Sequence, residues 1–402
     1  GKSLVVTALC RVFTRRGLRV LPFKAQNMAL NAAVTPLGGE IGRAQAVQAE
    51  AARAIPHVDM NPILLKPEPG LVSQVIVLGK PIGTMRWDVY RERSEELEEV
   101  VRSSLERLRA RADLVVIEGA GSPVELNLKT RELCNMRIAE IADAPVLLVG
   151  DIDRGGIFAS LLGTLALFEA PERARVKGLL VNKLRGDARL FVEGARLLED
   201  KAGLPVVGVL PHLPSLAIAE EDSLGLEKRQ RVARAGPDEI EIAVVRFPTI
   251  SNYDDLLELE HETGVVVRYV DSARELHGAD LVILPGSKST RHDLEWARAR
   301  GIDRALSAIA RHGGRILGIC GGAQMLGERV DDPEGIEGMP GSTQGLGLLP
   351  LRTCFLGEKR TTIARVRGAA GPFRGIEAEA YEIHHGRTER LRGASPAFEV
   401  LE

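Results

Sequence analysis

Short apolar, β-branched runs recur along the first half of the chain, as LRVLPF, DLVVIEG, APVLLVG, VKGLLVN and LPVVGVLP, with helical stretches between them. Runs of four to eight apolar residues bounded by turn signals read as strands buried on both faces. Their alternation with helices predicts an α/β fold built on a parallel sheet. The segment EKRQRVARAGPDE (227–239) breaks this pattern, being charged, carrying Gly-Pro and lacking apolar periodicity. It reads as a linker. Beyond it the alternation restarts with IEIAVVRFP, VVVRYV, ADLVILPG and GRILGIC. The expected organisation is therefore two doubly wound domains, one over 1–230 and a second over 238–402.

Composition sharpens this only by exclusion. The chain has 402 residues, 45% of them apolar and 27% charged, with a formal net charge of -2, so it carries no basic footprint for nucleic acid. A length of this order suits two cores better than one. Its longest apolar runs fall well short of the ~20 residues that a membrane-spanning helix needs. No signal peptide is visible. Cys10, Cys134, Cys320 and Cys354 are scattered without a CxxC pair, which argues against a disulfide framework and a zinc site and suits a reducing cytoplasm. Oligomeric state is not readable from the sequence.

The opening GKS precedes Leu4, Val5, Ala8, Leu9, Val12 and Phe13, apolar at helical spacing, so Lys2 and Ser3 would start a helix that ends near Arg15, Arg16 and Gly17. Gly1, Lys2 and Ser3 look like the end of a phosphate-binding loop, with Lys2 on terminal phosphates and the Ser3 hydroxyl on magnesium. Glu118 follows a buried strand and precedes a glycine-rich turn. That places it at the carboxyl edge of the sheet, where ligands bind, and lets it complete a magnesium shell. Asp151, Asp153 and Arg154 leave another strand at the same edge in GDIDRGGIFAS, and Asn182 ends a third, where its amide suits a purine edge.

PFKAQNMALN (22–31), GRAQAVQAEAA (42–52), MNPILLKP (60–67), IEGAGSPVELNL (117–128), DIDRGGIFAS (151–160), NKLRGD (182–187) and EEDSLGLE (220–227) together resemble the cobyric acid synthase family of ATP-dependent corrinoid amidases. The resemblance implies a dethiobiotin-synthetase-like nucleotide domain that uses ATP and Mg²⁺. It also implies a complete phosphate loop, part of which would precede Gly1. Lys24, Gln26, Asn27 and Asn31 would then lie along the substrate and phosphate-transfer cleft with Asp151 and Asp153. The implied reaction is the ATP- and glutamine-dependent amidation of peripheral carboxylates of adenosylcobyrinic acid a,c-diamide to adenosylcobyric acid.

GRILGICGGAQMLGE (314–328) is the strongest local signal in the chain. A strand runs into Cys320, two glycines follow, and Ala323, Met325 and Leu326 begin a helix. This is the layout of a nucleophile elbow, with the helix N-terminus expected to lower the thiol pKa. YEIHHG supplies His384 and His385 on an extended segment, so only one of them can face the sulfur. Resemblance to class I glutamine amidotransferases selects His384. The glutamate usually found two residues later is Gly386 here, which leaves Glu382 or a backbone carbonyl to orient the imidazole. LPGSKST offers the Gly286 N–H, with that of Gly321, as oxyanion donors. Two alternatives stand beside this reading. One is a cobyrinic acid a,c-diamide synthase, which shares both domains but not FKAQNM with DIDRGG. The other is a non-catalytic ATP switch of the Min/Par type, which lacks the cysteine elbow.

Overall fold

The computed structural model describes residues 1–127, 129, 132–213, 218, 234–357 and 359–401. The EEDSLGLE stretch and linker residues 227–233 lie outside the described residues. The chain divides into two compact units. One comprises Gly1–Asn27, Ala44–Ile63 and Asp88–Ile218; the other comprises Met28–Arg43, Leu64–Trp87 and Ala219–Glu402.

In the first unit the helix Lys2–Arg15 leads into the strand Val20–Phe23, which pairs in parallel with Leu114–Ile117. Gly17, at φ +89, lets the chain leave the helix in a left-handed conformation that residues with a Cβ seldom adopt. A parallel trio follows, with Val176–Leu184 between Val146–Asp151 and Val206–Pro211. Its central strand buries Leu179 and Val181 completely, packed with Ile157, Leu161 and Leu198 from the covering helices. Each such side chain contributes ~1.5–3 kcal/mol when fully removed from water. Parallel register aligns the strand ends. Asn182 stands opposite Asp151, and both fall on the carboxyl edge that the sequence pattern indicates.

In the second unit, Val265–Val270, Ile240–Val245, Leu281–Leu284 and Arg315–Gly318 form a parallel sheet in that spatial order. The four runs are those the apolar pattern picks out. From residue 329 the chain changes character and builds a mixed sheet, in which Arg329–Asp332 runs parallel to Leu351–Cys354, and an antiparallel one that pairs Arg360–Gly368 with Glu377–His384. Two stretches from the first half of the sequence cluster here as well, which a single linear boundary does not anticipate. Their attachment has a local cause: Ala29, Ala32, Leu64 and Ile76 bury a common apolar patch against Ile383. Reciprocal hydrogen bonds add to it, since the Asn252 amide N–H donates to Asn31 Oδ1 (2.8 Å) while the Ala32 N–H donates to Asn252 Oδ1 (2.9 Å).

Candidate active site

The strand Arg315–Gly318 and the helix Gly321–Leu326 leave Cys320 between them at φ +49 and ψ -115. A non-glycine residue held there is strained, and such strain persists only where the surroundings impose it. Here they do. A Cβ on Gly322 would lie 2.0 Å from the Leu284 carbonyl oxygen, so the turn presses directly on the neighbouring strand and only glycine fits. Cys320 as a residue is exposed. It opens into a cavity of about 440 Å³ that also exposes Gly286, Glu337 and His384, a size suited to a small metabolite.

Contrary to the expectation from the helix N-terminus, the thiol is held above its ordinary pKa. Desolvation is the largest cause and the charge of Glu337 adds to it, while the Gly321 N–H only partly opposes them. The helix has six residues, too short a stack of peptide dipoles to reverse a desolvation penalty. The thiol donates to the Ile383 carbonyl (3.5 Å), directly before His384.

His384 ends the strand Glu377–His384. Its Nδ1 lies 3.4 Å from the His385 carbonyl oxygen, and its Nε2 lies 3.8 Å from Glu382 Oε2. Both candidate orienting groups therefore stand beside the imidazole. His385 also lines the cavity, but its ring is engaged on another side. Gln74 Nε2 approaches its Nε2 at 3.2 Å, and because an amide nitrogen can only donate, that ring nitrogen accepts and Nδ1 carries the proton. Burial, reinforced by Lys359 and Lys288, pushes the His385 pKa down to about 3 and keeps the ring neutral.

A charged cluster that the sequence reading does not single out forms part of the cavity wall. Glu40, fully buried, pairs with Lys66 (2.5 Å) and with Lys359, and Lys288 pairs with Glu68 (2.5 Å). Burial alone would raise the Glu40 pKa, but the two ammonium groups outweigh it and hold it at about 2, below the ordinary 4.5. Desolvation and the neighbouring Lys66 push Lys359 down to about 8 from 10.5.

A depressed carboxylate stabilises the fold fully above its unfolded value and ceases to do so as pH falls through its folded one. The Glu40 contribution should therefore vanish between about pH 4.5 and pH 2. The depressed lysine acts in the other range, with stability rising as pH climbs from about 8 to 10.5. Glu40→Gln should cost ~3–5 kcal/mol at neutral pH, the usual result of breaking a buried ion pair, and should flatten the acid limb. Denaturant unfolding across this range checks it, and parallel acid limbs for the two proteins would refute it.

At the carboxyl edge of the first unit, Glu118 is buried and held by three donors. The Ser3 hydroxyl donates to Oε1 (2.8 Å), Lys24 Nζ lies 3.2 Å from the same oxygen, and Gln48 Nε2 donates to Oε2 (2.5 Å). Lys2 Nζ donates to the Gly121 carbonyl (2.7 Å). Asp151 pairs with Lys183 (2.7 Å) and Asp153 with Arg185. Asn182, which the sequence offers as a purine contact, is buried and accepts the Lys183 N–H with its own Oδ1 (3.0 Å). Gln26 accepts from the Tyr90 hydroxyl (2.5 Å), and Asn27 Nδ2 donates to Gln45 Oε1 (3.1 Å).

Residues 1–226 match the family model described as the CobQ/CobB/MinD/ParA nucleotide binding domain. Residues 241–402 match the CobB/CobQ-like glutamine amidotransferase domain. The cobyric acid synthase of Sorangium cellulosum is 56% identical over the whole of this chain and 80% of its own length. The chain belongs to the cobyric acid synthase family. Enzymes of that name from Chloroflexus aggregans and Syntrophobacter fumaroxidans are 52% and 50% identical, again over the whole chain and over 81% and 79% of their own lengths. A solved structure described as a glutamine amidotransferase overlaps 38% of this chain and 75% of its own at 20% identity. Its TM-score is 0.30, a likeness too slight to add to the assignment.

Within this family member, the structure groups the sequence-derived residues unevenly. Cys320, His384 and Gly286 border one cavity, with Gly321 next to the sulfur. Ser3 and Lys24 both reach Glu118. Asn31 is the exception: it was expected beside Lys24, Gln26 and Asn27 but belongs to the second unit, where its side chain accepts from Asn252. Lys66, Lys359, Glu40, Gln74 and Glu337 escape sequence reading. A lysine inside the apolar run ILLKPE was the one available signal, because an ammonium group in a buried strand requires a buried partner.

Proposed function

We propose that the chain amidates peripheral carboxylates of adenosylcobyrinic acid a,c-diamide, using ATP and glutamine, to give adenosylcobyric acid. Family membership supports the reaction class. The observation that carries the chemistry is the strained Cys320 elbow opening into a cavity shared with His384.

Glutamine enters with its carboxamide carbon against Cys320 Sγ. The raised thiol pKa means that the resting sulfur is protonated, so the proton passes to His384 as the sulfur attacks rather than beforehand. The N–H groups of Gly286 and Gly321 stabilise the oxyanion. As the adduct collapses to the thioester, the leaving nitrogen takes the proton back from His384 and departs as ammonia; a water that gives a proton to His384 then attacks the thioester, and glutamate leaves as the sulfur regains that proton. In the other unit, ATP transfers its γ-phosphoryl group to a substrate carboxylate, which lines up with Lys24, Gln26 and Asn27 near Asp151 and Asp153. Ammonia displaces phosphate from the acyl phosphate and leaves the amide.

Magnesium fits the residues present. A serine hydroxyl and a carboxylate lie side by side, and the neighbouring buried Gln48 Oε1 has no hydrogen-bond partner among the described residues. Ser3 and Glu118 would hold the ion. When bound, it neutralises charge on the transferring phosphates. Lys2 and Asn182 complete the nucleotide side of this reading.

Incubation of the purified protein with ATP, magnesium, glutamine and each corrinoid precursor, followed by mass spectrometry, tests the assignment. Conversion of the a,c-diamide by successive amidations is expected. Exclusive use of cobyrinic acid, stopping at the diamide, would overturn it. His384→Ala should slow glutamine hydrolysis by ~10²–10⁴-fold, the usual contribution of a general base. His385→Ala should do less, since its ring nitrogen is engaged by Gln74 and a pKa lowered to about 3 makes it a poor proton acceptor. Steady-state glutaminase rates decide between them, and a larger loss in His385→Ala would reverse the assignment.

A further inference from the structure

We infer that Gln48 gives the magnesium ion a further protein oxygen, its side-chain carbonyl, beside the Ser3 hydroxyl and the Glu118 carboxylate. The inference rests on the proposed role of those two residues.

Gln48 is completely buried on the helix Arg43–Ala51. Its amide nitrogen joins the two residues assigned to the ion, donating to Glu118 Oε2 (2.5 Å) and lying 3.5 Å from the Ser3 carbonyl oxygen. The other end of the amide, Oε1, meets no hydrogen-bond donor among the described residues. A buried carbonyl oxygen is costly to leave without a partner, and it is a hard, neutral ligand of the kind that magnesium takes.

The carboxylate decides which end of this amide is left over. Turned over, Gln48 would set its carbonyl oxygen against Glu118, lone pairs facing lone pairs, and would lose the hydrogen bond. Gln45, three residues earlier on the same helix and equally buried, differs, because its Oε1 is engaged by Asn27 Nδ2 (3.1 Å). A neutral ligand also suits the charge already present, since Lys24 pairs with Glu118 at 3.2 Å and both are buried. A second carboxylate at position 48 would press against Glu118 whenever the ion is away. An amide avoids this: its nitrogen holds Glu118 in the metal-free protein and its oxygen serves the ion.

Manganese(II), which shares magnesium's charge and preference for oxygen ligands, tests this without turnover, through the electron paramagnetic resonance signal of the free ion. Gln48→Met keeps the bulk of the side chain without its oxygen and should weaken manganese binding roughly tenfold, the scale of one lost contact to a charged group. Gln48→Glu offers a charged oxygen instead and should tighten binding by about tenfold or more. Opposite signs mark a ligand, because a residue that only steadies Glu118 would weaken binding in both variants. Gln45→Met, the same change on the same helix, should leave manganese binding as it is. Losses in both position-48 variants, unchanged binding in both, or an equal loss in Gln45→Met and Gln48→Met would overturn the inference. Because Gln48→Glu crowds two acids, its thermal unfolding is followed as well: manganese should raise the midpoint by more than it does for the wild-type protein, and an equal or smaller rise would also overturn the inference. Manganese binding that survives Glu118→Gln unchanged, or that the wild-type protein lacks, would instead strike the assignment of the ion to Glu118.

Discussion

Cys320→Ala is expected to reduce glutamine-dependent amidation by on the order of 10⁴–10⁶-fold, the scale on which removing a covalent nucleophile acts. Amidation driven by an added ammonium salt should continue, because the elbow serves only to release ammonia. Substitution at this position should also relieve the residue held at φ +49, and Cys320→Gly should leave the protein as stable as the original or slightly more so. Loss of both activities in a protein that unfolds normally would mean that glutamine hydrolysis and amidation are not chemically separate. Parallel assays with glutamine and with ammonium, beside a thermal unfolding curve, make the comparison.

Glu118→Gln should produce the complementary pattern, with ATP-dependent amidation falling by more than about 100-fold from either nitrogen source while glutamine hydrolysis persists. The glutamine variant keeps the size of the side chain but takes from Lys24 the carboxylate with which it pairs at 3.2 Å. Breaking a buried pair of this kind costs ~3–5 kcal/mol, so unfolding of the first unit must be followed alongside. The magnesium requirement separates the two effects. If Glu118 holds the ion, residual activity should need much more magnesium for half-saturation. An unchanged requirement would reduce Glu118 to a structural counter-ion for Lys24.

The parts of this molecule legible in the sequence are those whose chemistry is local. The runs VKGLLVN and ADLVILPG are strands because buried parallel strands tolerate little else, and the Cys320 elbow is visible because strand, turn glycines and helix follow one another directly. Glu118 is legible for the same reason, standing one residue past a strand. Position between distant segments was not legible. Nothing in PFKAQNMALN says that Asn31 joins Asn252, more than two hundred residues away, while Lys24 joins Glu118. The thiol pKa went astray similarly: a helix N-terminus can be read locally, whereas desolvation and the charge of Glu337 come from a cavity wall assembled from remote segments. Glu337 itself sits in a loop of Asp, Pro, Glu and Gly that any surface turn could contain.

The cluster of Glu40, Lys66 and Lys359 bears on how this polypeptide can be cut. Glu40 and Lys66 lie among the first 70 residues, Lys359 near the other end, and all three belong to one compact unit. A fragment spanning 241–402, the stretch that matches the amidotransferase family, would bury Lys359 with no carboxylate to receive it and would lack the strands that shield Ile383. Genetic dissection at the linker therefore yields a damaged amidotransferase rather than a transplantable module. Fragment complementation would need the amino-terminal piece to supply its 28–43 and 64–87 stretches in trans. Recombination between relatives meets the same barrier, since exchange of one half alone replaces part of this charge set without the rest.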